Sequence, residues 1–238
     1  TFLFFPLLLA AVFGWARELD ISRRWSLIAV LMVAAIPTAF HVASSGYIDL
    51  SLALYITLAC YSLTRWWRTL ATGSLVMVAI FLGGALAVKL TTVFVIAAFV
   101  LVILMRAREG KDEQAGSLRS DSAGKVVLTG FAALLLAGVI ASPWYLRNWA
   151  ATGSPVFPFY MSIWPGTATG WDVERSNLFQ GMNSQYGGAS ENKVNYLTAP
   201  ARVSLAAQPE DASLYDGVLG AAFLIGLPLL LWAVWRKK

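Results

Sequence analysis

The chain has 238 residues, of which 58% are apolar and only 13% charged, with ten Trp and a formal net charge of +5. Ordinary soluble domains are about half apolar and about a quarter charged, so this chain lacks the ionic groups that coat a water-facing surface. Its single cysteine, Cys60, excludes an internal disulfide or a cysteine-built metal cluster.

Thr1–Trp15 is the first apolar run. No basic stretch precedes it and no small-residue cleavage site follows, so it does not read as a secretory signal. The expectation is a helix entered partway along, in a chain that begins inside a larger protein. A helix rises 1.5 Å per residue, so a hydrocarbon core of ~30 Å takes about 20 mostly apolar residues. By that measure Trp25–His41, Tyr47–Leu63, Leu70–Val88, Leu90–Met105, Val126–Tyr145 and Tyr215–Trp235 are further candidate crossings, making seven. Trp, Tyr and Arg at their ends suit the interface and lengthen the short ones. The fold class predicted is all-α, a polytopic transmembrane helix bundle.

Cys60 falls inside the third run, where a free thiol behaves as a small buried hydrophobe. Leu70–Met105 as one straight helix would extend roughly 54 Å. It must therefore turn back, and Lys89 with Thr91 and Thr92 is its only polar break.

Alternating the sides of these runs sorts the charges. Thirteen of the 18 Lys and Arg residues fall on one side, while Lys89, Arg147, Arg175, Lys193 and Arg202 fall on the other. Acidic residues divide almost evenly, so the bias lies in the basic residues alone, and it marks the first side as cytoplasmic. A positive charge spread over membrane-side loops calls for no nucleic-acid partner.

Three parts follow from this layout. Residues 1–147 form a transmembrane bundle whose cytoplasmic segment 106–125, rich in Gly, Ser and charge, reads as a flexible linker. Residues 148–214 form an exoplasmic or periplasmic loop, too long to lack a task and too aromatic for disorder. Within it, Pro155–Pro165 is apolar but too short to span, as an interfacial or re-entrant segment would be. Residues 215–238 supply the last crossing and a basic cytoplasmic end.

The candidates for chemistry lie on the outer side. Asp49 sits where the third run begins, and an ionisable group there faces water, a partner or a ligand, or else serves the helix N-terminus. Lys89 is either a snorkelling lysine or a point charge for a phosphate. Pro143 is expected to kink or end its helix, and Arg147 beyond it is either an interfacial anchor or a phosphate clamp. The only histidine, His41, lies eight residues before Asp49; one His makes no metal site unaided. Asp172 and Glu174 read as solvated loop carboxylates.

Three stretches together carry a family likeness. Gly46-Tyr47-Ile48-Asp49-Leu50 precedes Gly83-Gly84-Ala85-Leu86-Ala87-Val88-Lys89, and then comes Ser142-Pro143-Trp144-Tyr145-Leu146-Arg147-Asn148 with Thr152-Gly153-Ser154-Pro155-Val156-Phe157-Pro158. Their order and sidedness resemble the GT-C class of integral membrane glycosyltransferases. The likeness is to the protein O-mannosyltransferase and aminoarabinose transferase families, which use polyprenyl-phosphate sugars. Ser154 departs from that pattern, which has Asn there.

The resemblance implies a glycosyltransferase of the bacterial inner or cell membrane with its active face outward. It would move a sugar, with inversion, from a polyprenyl-phosphate donor to a hydroxyl on a glycan, lipid or protein acceptor. It further implies that Lys89 and Arg147 bind the donor phosphate and that Asp49 is a supporting acid, with His41, Tyr145 and Asn148 as neighbours. A divalent metal is compatible with these residues, and none identifies one. In such families the main catalytic base follows the first crossing, upstream of Thr1, so the expectation is a fragment inactive alone. A secondary transporter and a non-enzymatic membrane scaffold subunit remain the alternatives.

Overall fold

The computed structural model describes residues 2–112, 120–166, 170–184, 192, 194–206, 217–226 and 228. Regular structure among these is helical throughout, and the fold is an all-α bundle. In chain order the helices are α1 (Phe4–Glu18), α2 (Arg23–Ala34), α3 (Pro37–Ser44), α4 (Asp49–Thr69), α5 (Thr72–Val88), α6 (Thr92–Asp112), α7 (Ser120–Thr152), α8 (Val173–Ser184) and α9 (Val194–Leu205). Residues 222–226 begin a further helix inside the segment expected as the last crossing, most of which lies outside the described residues.

The position of α5 follows from its composition. It is apolar on every face, which suits a helix surrounded by others, and it buries Leu75, Val78, Ala79, Leu82, Gly83 and Ala85. Around it lie Leu63 and Trp66 of α4, Phe99 and Ile103 of α6, and Ala133 and Ala137 of α7, with Cys60 packed against the same core. A second core joins Leu8 and Ala11 of α1, Ala43 of α3, and Leu50 and Leu54 of α4. Helix α4 contributes to both cores, its later turns packing on α5 and its first turns on α1 and α3.

Two glycines set how closely α5 sits to its neighbours. A Cβ on Gly83 would come within 2.8 Å of the Ala137 carbonyl oxygen and of Ile140 on α7. On Gly84 it would meet the Tyr55 ring of α4 at 3.2 Å. Two adjacent positions without side chains thus let one helix touch both partners, little more than a turn before Lys89.

The helix boundaries have local causes. Leu70 takes a left-handed conformation, φ 53°, and its N–H reaches Trp66 O at 2.7 Å, closing α4. Pro37 opens α3, where its missing N–H costs nothing, and α3 leaves α2 at 64°. At the other end of the bundle Arg68 pairs with Asp20 at 2.7 Å, and Arg106 donates its Nε–H to Trp67 O at 3.1 Å. The basic residues there tie the ends of α1, α4 and α6 together.

Of the two outcomes expected at Pro143, a helix end is not the one found: α7 runs on to Thr152 with Pro143 inside it. Proline leaves the carbonyl four residues back, that of Val139, without its N–H donor. The Ser142 hydroxyl donates to that oxygen at 2.7 Å, a local repair typical of prolines in membrane helices. Ala123–Thr152 is by itself long and apolar enough to cross a membrane, whereas α2 and α3 meet that measure only as a bent pair. Within the segment expected as the 106–125 linker, α6 continues to Asp112 and α7 starts at Ser120, while 113–119 lie outside the described residues.

Candidate active site where α4, α5 and α7 meet

Asp49 is the first residue of α4 and Lys89 directly follows the last residue of α5. A carboxylate at a helix N-terminus and a cation at a C-terminus are each favoured by the local dipole. The two meet, with Lys89 Nζ donating to Asp49 Oδ1 at 3.0 Å, and their side chains are 44% and 46% exposed. The pair is therefore ordered yet reachable.

The last turn of α5 is closed by donors from three places. The Ala85 carbonyl accepts from the Lys89 N–H at 3.0 Å and from the buried Thr92 hydroxyl at 3.0 Å. The Leu86 carbonyl accepts from the Tyr145 hydroxyl of α7 at 2.8 Å. Helix-end carbonyls need such partners when water is excluded. Tyr145 thereby fixes α7 against the turn that carries Lys89.

Beside Lys89 is a cavity of about 180 Å³, lined among others by Leu86, Trp144, Tyr145, Asn148, Phe157 and Phe159. Three of the sequence candidates, Lys89, Tyr145 and Asn148, thus share one space. Arg147 does not line it; the guanidinium lies over the Trp144 ring, 5.6 Å from its centroid, one side chain away from the cavity. His41 is exposed beside Tyr47, with ring centroids 6.4 Å apart. Asp49 also borders a second cavity of about 250 Å³ with Ile36, Val42, Leu50, Val203 and Val218. Thr38 secures that side, its hydroxyl donating to Val218 O at 3.0 Å and accepting from Val218 N–H at 2.6 Å.

The wall opposite Lys89 was only partly foreseen. Phe157 meets Trp171 edge-on with centroids 5.7 Å apart, Trp171 meets Phe179 at 6.0 Å, and Phe179 meets Phe159 at 5.5 Å. The Ser176 hydroxyl donates to Pro158 O at 2.8 Å. Helix α8 thus braces the 155–159 segment that lines the cavity. Asp172 starts that helix, its Oδ1 accepting the Arg175 N–H at 2.8 Å, as an N-cap does. Asp172 followed by Glu174 was the signal for this cap.

Among the described residues no group of three or more His, Cys, Asp or Glu side chains gathers as a metal site would require, and Asp49 is already engaged by Lys89. A family model described as dolichyl-phosphate-mannose-protein mannosyltransferase matches residues 1–119. No curated protein and no solved structure matches the chain.

Proposed function

The chain belongs to the dolichyl-phosphate-mannose-protein mannosyltransferase family, a family of integral membrane glycosyltransferases, and on that premise we propose that Lys89 receives the phosphate of a polyprenyl-phosphate sugar. The observation that carries this reading is the half-exposed Lys89 ammonium, held 3.0 Å from Asp49 at the edge of an aromatic-walled cavity. Aromatic faces and an asparagine amide beside a cation suit a sugar attached to a phosphate. The apolar cavity on the far side of Asp49 suits the first part of a prenyl chain.

In the reaction proposed, an acceptor hydroxyl attacks the anomeric carbon from the face opposite the phosphate, so the configuration inverts. A carboxylate base takes the hydroxyl proton. The bond from anomeric carbon to phosphate oxygen breaks, and its electron pair leaves with the phosphate. Negative charge grows there, so a fixed cation stabilises the transition state more than the ground state. Lys89 is assigned that role. Arg147, held over Trp144, is assigned as the second cation, and Asp49 orients Lys89. We place this chemistry on the outer face, because the basic residues concentrate at the other end of the bundle.

The test is sugar transfer by the intact enzyme reconstituted in vesicles, with and without Lys89→Ala. Turnover is expected to fall by about a hundredfold or more, together with weaker binding of a polyprenyl phosphate. Wild-type turnover and unchanged binding would remove Lys89 from the site.

A further inference from the structure

At the end of the bundle away from Asp49 and Lys89, α6 and α7 touch closely where a Cβ on Gly130 would come within 2.6 Å of the Ile103 side chain. A cleft of about 540 Å³ opens between them, lined by Leu104, Ala107, Arg108, Gly124, Leu128 and Phe131 with Ala123 and Val127. Gly124 faces open space, since a Cβ there would meet nothing within 4 Å. Among the described residues of the lining, the exposed Arg108 is the one charged side chain.

We propose that this cleft binds an anionic phospholipid, with an acyl chain between α6 and α7 and the headgroup phosphate on Arg108. The volume lies in the range of about 300–1,000 Å³ typical of ligand sites. The lining is hydrocarbon apart from Arg108, and around a membrane helix bundle the medium that fills such a cleft is lipid. The charge of the surroundings selects which lipid. Neighbouring Arg106 is already committed: it bonds to Trp67 O, lies 5.8 Å from the Trp67 ring centroid, and stands 3.9 Å from Glu109. That arrangement sets the Glu109 carboxylate against Arg106. Arg108, on the cleft side, meets an arriving phosphate with the planar fork that binds it bidentately. Basic pockets between membrane helices select anionic headgroups in this way.

This inference does not depend on the role of Lys89, which lies at the opposite end of the helices. Its test uses the protein reconstituted in phosphatidylcholine vesicles, comparing the motionally restricted fractions of spin-labelled phosphatidylglycerol and spin-labelled phosphatidylcholine. Arg108→Gln is expected to lower the preference for phosphatidylglycerol about fivefold, the worth of one basic residue near a lipid headgroup. Arg108→Lys retains most of the preference. Gly124→Phe fills the open space and displaces both labels, with the unfolding temperature reporting that the bundle is intact. An unchanged preference in Arg108→Gln, or an unchanged restricted fraction in a folded Gly124→Phe, overturns the proposal.

Discussion

Residues 1–119, which match the family, and residues 120–238, which lie beyond the match, contribute different things to the same site. The first half supplies charge, in the form of Asp49 and Lys89 at adjoining ends of α4 and α5. The second half supplies the aromatic wall of the cavity. Tyr145 and Asn148 come from α7, Phe157 and Phe159 from the following turns, and α8 stands behind them. A contact between two charges can be kept by a few residues at helix ends. A cavity wall needs a whole segment braced from outside, and here Trp171, Phe179 and Ser176 do that bracing. The difference teaches that the cation which marks the site and the surface that shapes it are carried by separable parts of the chain.

Substitutions can break this contrast or sharpen it. The largest effect expected is the loss at Lys89 described above, about a hundredfold or more in turnover. Arg147→Ala should cost less, about tenfold, since the guanidinium lies outside the cavity lining; comparing the two turnover numbers checks this ordering. An equal loss would mean that Arg147, the proposed second cation, acts as directly as Lys89, and would blur the division between the halves.

Next in size is Gly83→Val, which drives a side chain into the Ala137 carbonyl and Ile140. Overpacking of this kind costs about 1–3 kcal/mol, measurable as a lowered unfolding temperature in detergent. Gly84→Ala presses only on the Tyr55 ring at 3.2 Å, a side chain able to shift, and should cost less than Gly83→Val. Tyr145→Phe removes the donor to Leu86 O and should lose about 1 kcal/mol, with donor affinity falling more than thermal stability if the hydroxyl positions the turn. Asp49→Asn should be smallest in stability, within about 1 kcal/mol, because half-exposed ion pairs are worth little. Its sharper readout is donor binding, where loss of the neutralising carboxylate frees Lys89.

Much of the bundle was readable from residue order because apolar runs and polar breaks follow directly from solvent preference. Lys89 illustrates this: in Leu70–Met105 it heads the only polar interruption, and the helix breaks there. What Pro143 does stayed open, between a kink and a helix end, for an equally physical reason. Its effect depends on whether the Val139 carbonyl finds another donor, and a hydroxyl one residue earlier, on Ser142, answers that question only in three dimensions. The cleft beside Arg108 left no trace in composition, since it is formed by residues of two helices, α6 and α7, that are brought together only in three dimensions. Nor could the sequence alone show that Trp171 and Phe179 stand behind Phe157 and Phe159, because stacking between residues this far apart is settled by how α8 returns.

The pairing of Asp49 with Lys89 has one more consequence. The start of a helix welcomes anions and its finish repels them, so Lys89, at the finish of α5, is an unpromising host for a phosphate on dipole grounds alone. The carboxylate at the start of α4 resolves this by serving as a resident counter-ion. Any phosphate that reaches Lys89 exchanges with a tethered rival already in place, so its grip reflects a contest between two anions. On the proposed reading, the same rival would reclaim the amine as the spent phosphate departs, favouring quick release of product over tight retention.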